Sequence, residues 1–365
     1  MVKPELSDCL NKWGGAVTTD MWTECYTQAS YITVTAHYIS CDWNLTERVL
    51  ATREFDPDLR HTGANIKQVL TSILDEFGVD VEKVIFVTDR GANMLAAMKN
   101  FKQISCADHM LNTVLTHLFE DKALEDCPGI SSLLSASKQI VRYFKKTGLM
   151  RHLPTSLKQE VCTRWNTMFY LLESVLKNLT EIEHILQTRN EMFRMTGIDK
   201  KLLENLVDFL EVFRVASVEM EATKVPTLHL PLPWYHKIVQ NCEVKQQDVS
   251  EMTLLKSRAL QLVKSKFILE PVHHVASVLN PKMKNLRMLS DEEKERVYNA
   301  LRAMLPAEAV SSGTSEDSAT GKVISAFRDS ISVMCLPLHC ILCRVHRCCV
   351  LYFPLLFCRH SLNCS

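Results

Sequence analysis

The chain has 365 residues, of which 42 are basic and 42 acidic, and 47% of its residues are hydrophobic. A length of this order suggests two or three domains. Zero net charge excludes an overall positive electrostatic potential that would draw the protein to nucleic acid or to an anionic membrane, so any basic surface is local. No apolar run reaches the roughly 18 residues of a membrane span, and no secretory signal opens the sequence, so we expect no membrane partner and reduced thiols.

Residues 1–15 form an N-terminal segment with a short helix in ELSDCLNKW. Three strand-like runs follow, namely AVTTDMW, SYITVTAHYIS and TERVLATREF. The second run alternates with period two, and one of its faces consists of Ile32, Val34, Ala36 and Tyr38. Because the connections between the runs are short and polar, we expect an antiparallel meander.

The hydrophobic period then changes to that of a helix. Apolar residues recur at helical spacing from Ile66 onward, and Gly78 ends this helix. The strand KVIFVTD, a short helix after Gly91, the apolar run QISCAD and a further helix follow. This order of strands and helices is typical of a ribonuclease-H-like α/β core with a mixed sheet, which we assign to residues 16–125.

From about Ile130 the pattern is almost wholly helical, and we assign residues 126–310 to a large all-α insertion domain. One apolar stripe in this region consists of Leu202, Leu203, Leu206, Phe209, Leu210 and Phe213. Ser290 and Glu293 form the pattern of a capping box. Residues 311–330 have the composition of a linker, and the cysteine-rich apolar tail, 331–365, is not expected to be part of the fold.

Asp20 and Asp89 each lie at or near the end of an apolar, strand-like run. If these runs are neighbouring strands, the two carboxylates share one sheet edge. Paired carboxylates are the hard oxygen ligands that hold Mg²⁺ or Mn²⁺ beside a phosphate. The alternative is that both aspartates have ordinary structural roles, since Asp89 suits the N-cap of the short helix at Gly91. Both interpretations stay open.

Cysteine and histidine spacings raise the question of zinc. Cys106 and His109 are three residues apart, but two ligands do not make a tetrahedral site, so we expect no zinc in the body of the chain. The alternative is a buried cysteine and a histidine that is hydrogen-bonded at the start of a helix. In the tail, either a zinc ribbon or fortuitous spacing accounts for Cys340, Cys343, His346 and Cys349.

Two further patterns indicate contacts with nucleic acid. Arg164 and Trp165 are adjacent, and a guanidinium beside an indole can clamp a phosphate and stack on an unpaired base, although Trp165 also fits the apolar stripe of a helix. No acid occurs between residues 130 and 159. The six cations of this stretch form either a phosphate-tracking surface or a solvated helix face, and they are Lys138, Arg142, Lys145, Lys146, Arg151 and Lys158.

Taken in order, the motifs DMWT, ITVTAHYI, VTDRGANM, CADHMLN and TRWNT resemble the hAT (hobo, Activator, Tam3) superfamily of transposases and their domesticated relatives with BED-type zinc fingers. The resemblance covers about residues 10 to 310 and implies a ribonuclease-H-like core interrupted by a helical insertion. It implies catalytic roles for Asp20 and Asp89 and a position beside the metal site for Cys106 and His109. In the family, the element that Arg164 and Trp165 match assists the flanking strand during hairpin formation.

The sequence lacks two elements of that family, the BED finger and the third acid, a glutamate in a Ser-Glu-Arg-x-Phe-Ser motif. We therefore interpret the chain as a domesticated or truncated, catalytically inactive protein of the nucleus. Its expected partners are DNA, full-length relatives or other nuclear proteins. One alternative is an active metal-dependent DNA transposase in which Glu173 or Glu219 replaces the lost acid. The other is a dimerisation or interaction module that modulates full-length relatives.

Overall fold

The computed structural model describes residues 2–24, 26–160 and 166–303. A first helix and a three-stranded meander open the chain, with the bounds α1 (Val2–Trp13), β1 (Gly15–Thr23), β2 (Ser30–Ile39) and β3 (Leu45–Glu54). Neighbouring strands of this meander pair antiparallel in chain order. The short N-terminal helix and the meander predicted from the sequence are therefore confirmed.

The second part of the sheet contains α2 (Gly63–Glu76), β4 (Val84–Thr88), α3 (Ala92–Met98) and β5 (Gln103–Ser105). Strand β4 pairs parallel with β1, and β5 pairs parallel with β4, so the five strands have the order β3-β2-β1-β4-β5. The predicted mixed sheet is confirmed. Gly78 ends α2 as expected, because its φ of +65° lies in the left-handed region that glycine adopts at little cost.

The core of the sheet lies on the face predicted from β2. The four alternating residues Ile32, Val34, Ala36 and Tyr38 are at most 1% exposed. They belong to one cluster with side chains of α1, α2, β4 and α3, among them Leu10, Leu70, Phe86 and Met98. Burial of each large apolar side chain stabilises the fold by about 1.5–3 kcal/mol relative to leaving it in water, which fixes the helices against this face.

The rest of the described chain is helical. Its helices are α4 (Ala107–Leu118), α5 (Asp121–Leu124), α6 (Pro128–Lys146), α7 (Asn166–Lys177), α8 (Leu179–Thr188), α9 (Lys200–Met220), α10 (Pro231–Asn241), α11 (Ser250–Lys266), α12 (Pro271–Leu279) and α13 (Asp291–Ala303). Short 3₁₀ turns occur at Val81–Lys83, Leu149–His152 and Met192–Met195. None of the helices within the described ranges is long and apolar enough to cross a membrane.

Two local predictions for the helical part are confirmed. All six residues of the apolar stripe on α9 are buried, from Leu202 to Phe213. The predicted capping box opens α13, because the Glu293 carboxylate accepts the backbone N–H of Ser290 at 2.9 Å and the Glu293 N–H donates to the Ser290 hydroxyl at 3.3 Å. These contacts satisfy N–H groups that a helix start leaves without an intrahelical partner.

The chain divides into two compact units, which are described separately. The α/β unit contains the residues up to Cys106, Ala222–Leu232 and the described residues from Leu269 onward. A second apolar cluster in this unit combines α12 and α13 with Leu232. The helical unit contains Ala107–Glu221 and Pro233–Ile268.

These units do not coincide with the expected domain spans of 16–125 and 126–310, which stay predictions. Helix α4 belongs to the helical unit because its buried side chains pack against α9 and α11 of that unit. The buried side chains of α4 include Met110, Leu111 and Val114. The expected linker 311–330 and tail 331–365 lie outside the described residues.

Candidate functional site

Asp20 lies on β1 and Asp89 directly follows β4, and these two strands are parallel neighbours in the interior of the sheet. The last recorded pair of the parallel register joins Thr18 of β1 to Val87 of β4, so Asp20 and Asp89 each lie two residues beyond that pair. Asp89 directly follows the last residue of β4, and Asp20 is three residues before the end of β1. The neighbouring strands expected from the sequence are therefore present, and the shared site and metal-binding role of the two carboxylates stay predictions.

Backbone contacts hold both carboxylates. Asp20 Oδ1 accepts the N–H of Met21 at 2.9 Å, and Asp89 Oδ1 accepts the N–H of Gly91 at 3.0 Å. The N-cap of α3 is Gly91, so the expectation that Asp89 is the N-cap is wrong. The physical reason is that the Asp89 carboxylate closes a turn over the two following residues, and the helix begins only after that turn.

Gly91 also permits the close approach of the Asp89 carboxylate. A Cβ at this position would lie 3.2 Å from Oδ1 and 3.3 Å from Oδ2 of Asp89, which is tighter than most Cβ contacts in proteins. A larger residue would therefore displace the carboxylate by a few tenths of an ångström. Gly91 is thus a positioning residue for Asp89.

A cavity of about 280 Å³ adjoins Asp89 at the end of β4. Its lining residues include Asp89, His61, Asn93 and Trp22. Trp22 stacks on Tyr31 with 5.6 Å between ring centroids, and 43% of its surface is exposed. The lining of the cavity therefore combines an acidic residue with polar and aromatic residues, as small-molecule sites commonly do.

Asp20 and Asp89 supply only part of the ligands that a divalent metal centre needs. Two carboxylates are the oxygen ligands that Mg²⁺ and Mn²⁺ prefer, so Asp20 and Asp89 fit part of such a centre. A two-metal centre needs further ligands, and within residues 2–24, 26–160 and 166–303 no group of three or more His, Cys, Asp or Glu residues is placed to hold an ion. The described residues therefore do not fit a complete centre.

The two acids considered as replacements have other partners. The Glu173 carboxylate pairs with the Lys177 ammonium at 2.6 Å, and Glu219 accepts the indole N–H of Trp234 at 2.9 Å. Both belong to the helical unit, whereas Asp20 and Asp89 belong to the α/β unit. These contacts account for both glutamates without a metal ion.

Cys106 and His109 flank the start of α4. Cys106 directly precedes this helix, and its backbone N–H donates to the carbonyl of Thr88 at 2.8 Å, next to Asp89. His109 lies in the first turn of α4 and its side chain is half-buried. This backbone hydrogen bond holds Cys106 at the end of β4. The catalytic or metal-related role of Cys106 and His109 stays a prediction.

Arg164 and Trp165 lie outside the described residues, as do the four tail residues considered for zinc. Helix α7 begins at Asn166, and its buried side chains include Phe169 and Leu172 of the predicted apolar stripe. The helix that follows the Arg-Trp pair is therefore confirmed, and the roles of the pair itself stay predictions.

The predicted basic stretch is placed mainly on α6. Lys138, Arg142, Lys145 and Lys146 lie within an arc of about 100° of this helix, while the residues of the opposite arc, such as Ile140 and Phe144, are buried. We call these four residues the α6 basic face. Arg151 is exposed in the following 3₁₀ turn, Leu149–His152, which packs against α6.

The cations of this region differ in their partners. Lys138 pairs with Glu160 at 2.7 Å, just after the acid-free stretch ends, and the Lys145 ammonium donates to the amide oxygen of Gln159 at 2.8 Å. In the part of the chain that the structure describes, Arg142 and Lys146 form no ion pair and both are exposed. These two side chains are therefore available to bind phosphate.

A half-buried carboxylate that no sequence motif indicated, Asp108, lies in the first turn of α4. Asp108 Oδ1 accepts the hydroxyl of Ser217 at 2.6 Å, and the same hydroxyl lies 3.0 Å from Glu221 Oε1. Burial, with a smaller contribution from the Glu221 carboxylate, raises the pKa of Asp108 to about 6. The partners are 109 residues apart in the chain, so no local pattern reveals them.

Comparison with known proteins gives one matching family model and several relatives that cover part of this chain. Residues 18–119 match the family model of the ZBED1 RNase-like domain. The chain is 28% identical over 290 residues to the transposable element Hobo transposase of Drosophila melanogaster, covering 79% of this chain and 44% of that protein. It is 25% identical over 276 residues to the zinc finger BED domain-containing protein 6 of Homo sapiens, covering 68% of this chain and 27% of that protein.

A third relative is the putative AC transposase of Zea mays, which is 25% identical over 190 residues, covering 44% of this chain and 22% of that protein. The chain thus spans less than half the length of these relatives. The matched domain includes Asp20, Asp89, Cys106 and His109, and the predicted ribonuclease-like α/β core with a helical region is confirmed. The resemblance drawn from the motifs is also confirmed, because the chain is similar to the Hobo and AC transposases and to a BED-finger protein.

Proposed function

We propose that this chain is a domesticated hAT-derived protein that acts in the nucleus by binding nucleic acid and carries out no catalysis at Asp20 and Asp89. The α6 basic face carries this proposal. Within the described residues, two of its four cations, Arg142 and Lys146, are exposed and form no ion pair, in a chain whose net charge is zero. Because Lys and Arg side chains that neutralise phosphates release bound counterions, such a face supplies affinity for nucleic acid of any sequence.

The relationship to transposases of mobile elements supports DNA as the nucleic acid. Nuclear location accords with DNA as the partner, and full-length relatives or other nuclear proteins are further expected partners. Imaging of a fluorescently tagged full chain tests the location, and a tagged chain excluded from the nucleus would contradict this part of the proposal.

The donor set of Asp20 and Asp89 supports the absence of catalysis. Metal-dependent transfer of a phosphodiester needs ions held in a fixed geometry, and Asp20 and Asp89 supply only part of the ligands for such ions. Within the described ranges no third acid joins them. We therefore expect the two carboxylates to bind a divalent ion weakly and to cleave no strand.

Two measurements on the full chain test the proposal. Fluorescence anisotropy with a labelled duplex should show binding that weakens steeply between 50 and 200 mM salt, as phosphate-based binding does. A cleavage assay on a terminal-repeat duplex in Mn²⁺ should give the same product level for the wild type and for Asp20→Asn. Absence of duplex binding at the lower salt concentration would refute the binding function, and Asp20-dependent cleavage would refute the lack of catalysis.

One observation favours a second candidate, a metal-dependent DNA transposase. Asp20 and Asp89 lie toward the same ends of the neighbouring parallel strands β1 and β4, an arrangement that suits a catalytic carboxylate pair. Titration calorimetry discriminates between the candidates, because a complete centre binds Mn²⁺ far more tightly than two carboxylates alone. Tight Mn²⁺ binding that is lost in Asp20→Asn would favour the transposase.

A further inference from the structure

An exposed phenylalanine lies beside the α6 basic face. Phe193 is in the 3₁₀ turn Met192–Met195 and has 65% of its surface exposed, while the adjacent Met192 is 43% exposed. This turn packs against α6. Removing so large an apolar side chain from water normally stabilises a fold by about 1.5–3 kcal/mol, so the exposed ring contributes little to the stability of this unit.

Neighbouring charged and aromatic groups hold the turn in place. The guanidinium of Arg194 lies 3.9 Å from the ring centroid of Tyr143 and 5.0 Å from that of Phe193. Arg194 Nε donates to Glu191 at 3.2 Å, and Arg189 Nε donates to the Tyr143 hydroxyl at 3.1 Å. The hydroxyl of Tyr143, followed by the two arginines, lowers the pKa of Glu191, so this carboxylate stays ionised and keeps the network together.

We call the group of Tyr143, Phe193 and Arg194 the aromatic platform. It joins the α6 basic face through Tyr143, which lies on α6 one residue after Arg142 and three residues before Lys146. Residues three apart on a helix are neighbours, so Tyr143 and Lys146 share one side of α6. Cations and an exposed ring therefore form one continuous surface within the helical unit.

The dimensions of this surface match a short single strand. At a rise of about 1.5 Å per residue, the α6 basic face extends about 12 Å along the helix, which is the length of two or three nucleotides of an extended strand. Surfaces that combine a cationic track with aromatic rings bind single strands, because the phosphates pair with the cations and the unpaired bases stack on the rings. In an intact duplex the bases are already stacked and paired, so they do not reach Phe193.

We infer that the α6 basic face and the aromatic platform together bind single-stranded DNA, with phosphates at Arg142 and Lys146 and an unpaired base on Phe193. This inference rests on the proposed nucleic-acid function and specifies its substrate. Arg194 joins the two rings of the platform by making cation–π contacts with both of them. The negative charge of the strand is complementary to the cations of the face.

The test uses the full chain, a labelled 15-nucleotide oligo(dT) and a blunt 15-base-pair duplex. Phe193→Ala should weaken oligo(dT) binding about tenfold or more, since one stacked base contributes on that scale, and should leave duplex binding unchanged. Phe193→Trp should retain oligo(dT) binding because the indole offers a larger ring. Val218→Ala, which alters a side chain 46% exposed on α9, is the matched control and should change neither affinity.

The outcomes separate this inference from the proposed function. Phe193→Ala with wild-type affinity for oligo(dT), or with equal losses for oligo(dT) and duplex, overturns the inference while leaving nucleic-acid binding intact. A wild-type chain that binds neither probe overturns the proposed function itself. Because Phe193 is exposed, the variant is expected to fold, and its circular dichroism spectrum and melting temperature should equal those of the wild type.

Discussion

Removing two charges from the α6 basic face tests the nucleic-acid function most directly. In the described residues, Arg142 and Lys146 are exposed and have no ion pair, so Arg142→Gln combined with Lys146→Gln removes cations without breaking an internal contact. Each phosphate neutralised on a duplex contributes about 0.9 to the slope of log K against log salt concentration. Loss of both contacts should therefore reduce the steepness of that slope by about 1.8.

The same relation gives the loss of affinity. If the two proteins bind equally at 1 M salt, a slope difference of about 1.8 corresponds to about 60-fold weaker duplex binding at 0.1 M. On a single strand, where each phosphate contributes about 0.7, the expected change in slope is about 1.4. Anisotropy titrations at four or five salt concentrations between 50 and 300 mM measure both slopes.

A control with the same change in net charge is available in the same unit. Lys264 and Lys266 are exposed in the last turn of α11, whose N-terminal residue Glu251 contacts the start of α6. At about 1.5 Å per residue, the two lysines lie about 20 Å along α11 from Glu251. Lys264→Gln combined with Lys266→Gln should leave the salt slope at its wild-type value. Equal slopes for the wild type and the Arg142 and Lys146 variant would refute a phosphate-binding role of the α6 basic face.

Two stability predictions follow from the helical unit. Phe213→Ala removes a fully buried ring of α9 and should lower the free energy of unfolding by about 3–5 kcal/mol in urea denaturation, whereas Val218→Ala at an exposed position of the same helix should change it by less than about 0.5 kcal/mol. Burial raises the pKa of Asp108 from its ordinary 3.8 to about 6, so the folded state binds this proton more tightly than the unfolded state does. As the pH rises from 3.8 to about 6, the free energy of unfolding should therefore fall by up to about 3 kcal/mol. Asp108→Asn should remove this pH-dependent loss of stability, whereas Asp208→Asn at an exposed site of α9 should retain it. If the free energy of unfolding of Asp108→Asn depended on pH as that of the wild type does, the prediction would be contradicted.

The sheet was predictable because its signals are local. Buried apolar residues alternate along β2, and those of α2 have helical spacing that ends at Gly78. The hydrophobic period and the terminating glycine were therefore sufficient to identify these elements. Asp20 and Asp89 each lie at or near the end of a strand-like run. Their placement toward the same ends of β1 and β4 could therefore be predicted once the two runs were taken as neighbouring strands. The N-cap of α3 was not predictable, because Asp89 and Gly91 both suit the start of a helix and only the turn geometry selects one.

The features that sequence patterns missed depend on contacts between distant residues. Asp108 obtains its raised pKa from burial against α9, and its partner Ser217 is 109 residues away. Helix α4 has an apolar stripe, but a stripe does not specify which helices cover it. Phe193 is one apolar residue among many in the sequence, and only the structure distinguishes an exposed ring from a core residue.

The α/β unit is assembled from segments that leave the ribosome at well-separated times. The carboxylate of Glu270 accepts the N–H of Ser105 in the edge strand β5 at 2.9 Å, although 165 residues separate the two. At a synthesis rate of about 5–20 residues per second, this acceptor follows its donor by about 8–33 s. During translation the helical unit therefore has time to fold first, while β5 still lacks this contact and edge pairing with other chains is a hazard.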